Sequence, residues 1–337
     1  MGKVERGLYY SIKAMTPLHV GVGAGLGHID LPIQREVHTK FPMIPGTAVK
    51  GALREYKLRA IAEDIKDSIT NEQIRKTLMK ILDDCLASCG EGEKCPEIKI
   101  NDISLKEKLK NGLVNLFGCR DQAGNLAFSD LRILLFPVKS LNGIFAYITS
   151  PAVLMRLAED VQMENPSSYL KVNVKGDKRR LGDDEAFVAF NHSVNLMDKD
   201  LVVLEEFTFK AVDLDLNNEL INWLMEAFDK LGINFDEIIK RLVILSDNAF
   251  NDFVQNYTEV QTHVKIDPST GTVQSGALWT EEYLPAETFM YGIIFEVRNN
   301  KSEDTDLTKD LLPDYLHLGG DITTGKGFVR IYRGKEG

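Results

Sequence analysis

The sequence predicts an α+β protein built on antiparallel sheets. Strand-like and helix-like segments interleave irregularly along the 337 residues, and several strand segments lie close enough to form hairpins. The regular βαβ alternation of a doubly wound parallel sheet is missing, and there is no internal repeat.

The elements follow in order. Residues 4–15 set Val4, Leu8, Tyr10, Ile12 and Ala14 among polar neighbours and read as a first strand. Gly21, Gly23, Gly25 and Gly27 mark a loop. Residues 28–45, with Pro32, Pro42 and Pro45 and no period, extend it; ordered loops of this length are usually functional. A helix is expected from Thr47, with Ala48, Leu53, Leu58, Ile61 and Ala62 on one face and Lys50, Arg54, Lys57 and Arg59 on the other. Residues 65–118 read as a helical insertion. Strands are expected at 126–138 and 144–149, then a short helix after Pro151. Residues 162–200 are polar and aperiodic and carry Lys171, Lys175, Lys178, Arg179 and Arg180, so an exposed basic excursion is expected there. Beyond it come strand 201–209, helix 216–231, strand 241–246, helix 247–255, strands 257–267, 272–279 and 287–297, and a helix near 304–312. A glycine loop at 319–327 and a last strand, 328–332, close the chain.

A hydrophobic content of 44% with 27% charged residues marks a globular chain long enough to bury its own core. No apolar run approaches the ~18 residues of a membrane helix. The first residues lack the pattern of a signal peptide, and four cysteines do not make a secreted disulfide scaffold. The expected location is the cytoplasm. The net charge of −10 hides an asymmetry: residues 1–60 hold nine Lys/Arg against four Asp/Glu, and the rest hold 31 against 46. A basic segment on an acidic body still binds a polyanion, because phosphate contacts are local.

Two glycine motifs fail as nucleotide sites. Gly21-Val-Gly23-Ala-Gly25-Leu26 puts Leu where a dinucleotide fingerprint needs its third glycine. Gly320 to Gly327 has P-loop spacing, but glycine replaces the magnesium-binding Ser/Thr and no helix follows. Cys85, Cys89, Cys95 and Cys119 lack zinc-ribbon spacing; free thiols are expected, with a disulfide as the alternative and a structural Zn²⁺ site less favoured.

The informative stretch is 15–54. It gathers His19, His28, Asp30, Arg35, Glu36 and His38 in or beside one glycine-flanked loop, then leads through Pro45-Gly46 into a helix start with Lys50 and Arg54. A helix N-terminus with a lysine one turn in is a phosphate-binding arrangement. Thr16–Gly21 (TPLHVG), Leu26–Glu36 (LGHIDLPIQRE), His38–Pro42 and Pro45–Arg54 together resemble the signature of RAMP proteins, the RNA-binding subunits of CRISPR systems. The nearest likeness is to the backbone subunits of type III-B (Cmr) complexes. Leu116–Gly118, Phe128–Asp130, Thr149–Ala152, Gly276–Pro285 and the glycine loop Gly319–Gly327 extend the resemblance over nearly the whole chain. It departs at Thr47-Ala48-Val49 and in the cysteines of the insertion.

The resemblance implies a single RAMP domain over 1–337, with a modified ferredoxin-like (RRM-like) core and insertions. Residues 162–200 are the candidate for the RNA-kinking thumb, and 65–118 is the rival. It implies copies of the chain stacked along a guide RNA (crRNA), with other Cmr subunits, holding a complementary target RNA that is cut at regular intervals. The chemistry implied is attack of a 2′-hydroxyl on the adjacent phosphorus. Asp30 is the expected catalytic residue, as a base or as the ligand of Mg²⁺ or Mn²⁺; His19, Glu281 and Tyr283 are further catalytic candidates, with Glu282 as a substitute for Glu281. Arg35, Lys50, Arg54, Gly319, Gly320 and Lys326 are the expected RNA contacts, and Trp279 is expected in the core. A non-cleaving guide-binding subunit and a guide-precursor ribonuclease are the alternatives.

Overall fold

The computed structural model describes residues 6–25, 27–66, 76, 78–80, 82, 84–85, 99–100, 103–104, 109–174, 177–197, 200–214, 218–297 and 311–336. The strands are β1 (Arg6–Ala14), β2 (Met43–Ile44), β3 (Lys99–Ile100), β4 (Ile103–Ser104), β5 (Leu126–Phe128), β6 (Leu131–Lys139), β7 (Phe145–Thr149), β8 (Lys171–Val174) and β9 (Asp177–Arg180). The second half adds β10 (Glu185–Val188), β11 (Leu201–Leu204), β12 (Phe207–Asp213), β13 (Leu242–Leu245), β14 (Glu259–Ile266), β15 (Val273–Tyr283), β16 (Phe289–Glu296), β17 (Tyr315–His317) and β18 (Phe328–Glu336). The longer helices are α1 (Gly46–Lys66), α2 (Pro151–Asp160), α3 (Asn218–Lys230) and α4 (Asp247–Asn256).

A mixed sheet of 12 strands forms the centre, in the order β11-β12-β10-β13-β7-β6-β16-β1-β18-β17, with β2 beside β6 and β5 beside β16. Strand β1 pairs antiparallel with both β16 and β18, which ties the two ends of the chain together. Among the strand pairs of the described residues, only β13–β7 and β10–β12 are parallel. The α+β expectation holds. Leu8, Tyr9, Tyr10, Ser11 and Ile12 are all buried, so β1 is covered on both faces and its alternation is not a core–solvent alternation.

Helix α1 starts directly after Pro45. The Gly46 N–H donates to Asp130 Oδ1 at 2.8 Å, and a Cβ at Gly46 would lie 2.3 Å from the Phe128 carbonyl, so only glycine fits. Val49, Leu53, Leu58, Ile61, Ala62 and Ile65 bury its inner stripe. Helix α2 is capped by Ser150, has Pro151 in its first turn, and buries Val153, Leu154, Leu157 and Ala158.

Three expectations change. Residues 162–200 are not one exposed excursion. They hold the hairpin β8–β9 and then β10, whose four residues are all buried between β12 and β13. The single strand expected at 201–209 is the antiparallel pair β11–β12. Cys85 and Cys119 are disulfide-bonded, not free thiols, and Cys85 is buried. Cys89, Cys95, much of the 65–118 insertion and nearly all of the expected helix at 304–312 lie outside the described residues.

Strands β14 and β15 form a two-stranded sheet of their own. Because side chains alternate along a strand, the hairpin has two distinct faces. Val260, Val264, Ile266, Val273 and Leu278 are exposed apolar residues of the hairpin, and the register pairs Val264 with Leu278 and Ile266 with Val273. The opposite face carries His263, Trp279, Glu281 and Tyr283, with His263 paired to Trp279.

Candidate active site

The 18–34 loop is tightly organised. Leu18 and Leu284 exchange both backbone hydrogen bonds at 2.9 Å, and Val22 N–H donates to the Pro32 carbonyl at 3.1 Å. The returning limb then lies along β15: Leu31 N–H donates to the Thr280 carbonyl, and Glu282 N–H donates to the Leu31 carbonyl, each at 3.0 Å. Residues 29–33 thus cover the edge of β15 that β14 leaves open.

This docking fixes Asp30. Its Oδ2 accepts from the Thr280 N–H (2.8 Å) and hydroxyl (2.9 Å), while its own N–H donates to Thr280 Oγ1 (3.0 Å). The Thr280 N–H, then its hydroxyl, hold the Asp30 carboxyl below the usual carboxylate range, although the residue is exposed. Thr280 and Glu281 point to opposite faces of β15. Asp30 and Glu281 are therefore joined through that strand, and no hydrogen bond among the described residues links Asp30 directly to His19, Glu281 or Tyr283.

His19 stands where the N-terminal loop, β15 and the closing glycine loop meet. Its Nδ1 lies 2.7 Å from the Glu282 carbonyl oxygen, which only accepts, so Nδ1 carries the proton and Nε2 is left for other work. A Cβ at Gly21 would come within 2.5 Å of Nε2. The Gly320 N–H donates to the His19 carbonyl at 3.0 Å; Gly319 has φ +81°, and a Cβ there would sit 2.0 Å from that same oxygen. Gly319 and Gly320 thus press the closing loop onto His19.

On the polar face of the hairpin, Trp279 Nε1 donates to Glu281 Oε1 at 2.8 Å, and the Tyr283 hydroxyl donates to Oε2 at 2.5 Å. His263 Nε2 is 3.2 Å from the Tyr283 oxygen, and Asp321 Oδ2 is 3.3 Å from it. The His19 ring meets Tyr283 edge-on at 5.6 Å, and Lys326 Nζ lies 4.8 Å from the centre of the Tyr283 ring. Burial pushes the Glu281 carboxyl up, but the hydrogen bonds with Tyr283, Trp279 and the neighbouring Asp321 carboxyl, and then the nearby His263, outweigh it and leave the pKa lowered. Burial, with the Glu281 and Asp321 carboxylates, raises the Tyr283 phenol far above its ordinary value, so it stays a donor. The structure therefore brings His19, Glu281, Tyr283 and Lys326 together. Trp279 is not the core residue expected: it is half-exposed and stacks on His263, with ring centres 5.5 Å apart and planes 18° from parallel.

Glu282 and Arg35 take a different part from the one expected. Glu282 Oε1 accepts from Arg35 Nη2 (2.5 Å) and the Thr258 hydroxyl (2.7 Å), and its Oε2 accepts from the Ile33 N–H (3.0 Å). Glu282 is thus tied to three separate segments on the face of β15 away from Tyr283, whereas the donors to Glu281 lie on its own strand. Arg35 Nη1 also donates to the Lys40 and Val254 carbonyls, so its guanidinium is committed inside the chain. Lys50 and Arg54 sit one turn apart on α1, half-exposed and with no ion-pair partner among the described residues. At the start of that helix the Gly46 N–H is taken by Asp130, and those of Ala48 and Val49 turn back to the Pro45 carbonyl.

No three His, Cys, Asp or Glu side chains among the described residues gather closely enough to hold a metal. Sequence reasoning missed His263 and Asp321. Neither has a local signal; His263 reaches the site only through its register with Trp279.

A model of the RAMP superfamily matches residues 11–330. The Cmr endoribonuclease Cmr4 of Pyrococcus furiosus is 33% identical over 332 residues, covering 96% of this chain and 93% of its own. The Cmr4 subunit of Saccharolobus solfataricus is 23% identical, with 96% and 94% covered. The crystal structure of oligomeric Cmr4 from P. furiosus superposes with a TM-score of 0.59 at 27% identity over 98% of each chain. A chain of the type III-B Cmr-beta complex bound to cognate target RNA shares the fold, with a TM-score of 0.64 at 18% identity over 98% of each chain. No helix among the described residues is long and apolar enough to cross a membrane. By sequence and by architecture, the chain belongs to the RAMP superfamily and, within it, to the Cmr4 family.

Proposed function

We propose that this protein is the repeating backbone subunit of a cytoplasmic type III-B complex, which holds guide RNA and cuts complementary target RNA at regular intervals as an endoribonuclease. The observation that carries the reading is the base of the β14–β15 hairpin. There, Asp30 is anchored on one face of β15, and His19, Glu281 and Tyr283 are gathered on the other.

In the cleavage step the 2′-oxygen bonds to the adjacent phosphorus as the bond to the 5′-oxygen breaks. The 2′-hydroxyl gives up its proton and the 5′-oxygen gains one, leaving a 2′,3′-cyclic phosphate and a 5′-hydroxyl. His19 Nε2 is the nitrogen available for proton exchange, because Nδ1 is spent on the Glu282 carbonyl. Tyr283 keeps its proton and serves as a hydrogen-bond donor. The Thr280 donors make Asp30 a weak base, so its charge, not its basicity, is what it brings. A carboxylate of this kind suits a Mg²⁺ or Mn²⁺ site completed by RNA phosphates and water, where the ion would offset charge on the phosphate.

The RNA contacts assigned are Lys50, Arg54, Lys326 and the Gly319–Gly320 backbone, while Arg35 shapes the loop. The β14–β15 hairpin is the better candidate for the thumb than 162–200: it stands apart from the main sheet, exposes apolar side chains fit to wedge between bases, and has the site at its base. Hairpin β8–β9 is assigned a phosphate contact. Lys171 lies opposite Arg180 in register, with Lys178 two residues along, and all three are exposed.

The test is cleavage of a guide-complementary RNA by the reconstituted complex, with and without Mg²⁺, comparing wild type with Asp30→Ala. The variant is expected to assemble and bind but to cut about 10²-fold more slowly or less. Normal cutting by the variant would remove Asp30 from the chemistry; a wild type that binds and never cuts would make the subunit a scaffold.

A further inference from the structure

We propose that His263, from strand β14, is a positioning residue that directs the Tyr283 proton onto Glu281. The inference rests on the assignment of Glu281 and Tyr283 to the site and adds what holds that pair in one state. Three groups surround the Tyr283 oxygen: Glu281 Oε2 at 2.5 Å, His263 Nε2 at 3.2 Å and Asp321 Oδ2 at 3.3 Å. The phenol has one proton and two carboxylates to choose between. Donated to Glu281, it makes a short charge-assisted bond; swung to Asp321, it leaves Glu281 Oε2 with one donor fewer.

His263 breaks this tie. An Nε2–H pointing at the Tyr283 oxygen fills the acceptor side of the hydroxyl and sets the chain His263 Nε2–H to Tyr283 O–H to Glu281 Oε2. His263 Nε2 also stands 3.6 Å from Glu281 Oε2, beyond hydrogen-bond reach but close enough to keep the imidazole edge against that carboxylate. The imidazole is held in place from its flat side, because Trp279 stacks on it. The same indole donates to Glu281 Oε1, so stacking and hydrogen bonding fix imidazole and carboxylate relative to each other. The other charged or titratable groups facing Tyr283 are Lys326, over its ring, and His19, at its edge, and both meet the ring and not the hydroxyl. His263 is therefore the donor that the geometry supplies, and it comes from the neighbouring strand of the hairpin, where RNA engagement would be felt first.

The test uses the reconstituted guide-loaded complex and single-turnover cleavage of target RNA, with target affinity measured separately. His263→Phe keeps an aromatic ring against Trp279 and removes the donor; His263→Gln restores a donor at similar reach. The expected result is a cleavage rate constant lower by about tenfold or more in H263F, with target Kd unchanged within about twofold, and recovery to within about threefold of wild type in H263Q. A merely structural His263 would be mimicked by Phe and would not be rescued by Gln. H263F cutting at the wild-type rate, or H263Q as slow as H263F, overturns the proposal. Glu281→Gln and Tyr283→Phe are run alongside. If both cut normally, the underlying site assignment falls and this inference falls with it; if both are slow while H263F is normal, only the inference fails.

Discussion

Glu281 and Glu282 are consecutive glutamates on one strand, and both are almost buried, with 8% and 3% of their surface exposed. Strand alternation sends them to opposite faces, and there they meet different partners. Glu282 faces the 31–42 loop and finds donors that come from elsewhere in the fold: a guanidinium, a backbone N–H and a threonine hydroxyl. Glu281 finds a tyrosine and a tryptophan two residues away on its own strand and a histidine on the next. The first carboxylate joins distant segments, and every one of its donors is needed where it is. The second is held by groups gathered on one hairpin face, beside a phenol that can give its proton in two directions. Burial does not separate an architectural acid from a chemical one here; the origin and freedom of the donors do.

The comparison breaks most visibly in stability. Glu282→Ala leaves the half-buried Arg35 guanidinium without its counter-charge, and removing one partner of a buried pair costs up to about 3–5 kcal/mol. The expected outcome is a large fall in Tm and loss of assembly, read by calorimetry and by size-exclusion chromatography of the complex. A variant as stable as wild type would show that the loop is held by its backbone bonds alone. Glu281→Gln is next in size and opposite in kind. The amide still fits the Trp279 donor, so unfolding free energy is expected to change by no more than about 1 kcal/mol. Target cleavage is expected to fall by about tenfold or more, because the charged acceptor for Tyr283 is gone. A variant that melts like E282A and keeps its activity would reverse the roles given to the two residues.

This pair also shows what a sequence makes legible. Strand β1, helices α1 and α2, the β14–β15 hairpin and the closing strand were readable because each is long enough to show a period or is bounded by Pro, Gly or a cap. Strand β10 was not: four buried residues, one of them a glutamate that Arg179 neutralises at 2.7 Å, carry no period, and the basic residues before them dominate the stretch. In the site, His19, Asp30, Glu281 and Tyr283 stood out through motifs that resemble a known family. His263 and Asp321 did not, because their parts depend on register and on a left-handed turn at Asp321, with φ of 61°. Arg35 was expected on the RNA because a sequence shows a positive charge and not whether that charge is already spent.

The cations divide as the glutamates do, and the unspent pair gives the smallest expected effect. Arg35 has three intramolecular acceptors, whereas Lys50 and Arg54 have no ion-pair partner among the described residues. The helix that carries them is anchored independently through Gly46, Asp130 and a buried stripe, so removing their charges leaves the fold intact. If each neutralises one phosphate of a single-stranded guide, the double variant K50Q/R54Q releases two fewer counterion equivalents. The slope of log affinity against log salt then becomes shallower by about 1.4, at about 0.7 per phosphate on a single strand. The measurement is guide-RNA binding across a range of salt concentrations for wild type and the double variant. An unchanged slope would mean that both side chains face solvent or a neighbouring subunit, and the grip on RNA would then be sought at Lys326 and on the β8–β9 hairpin.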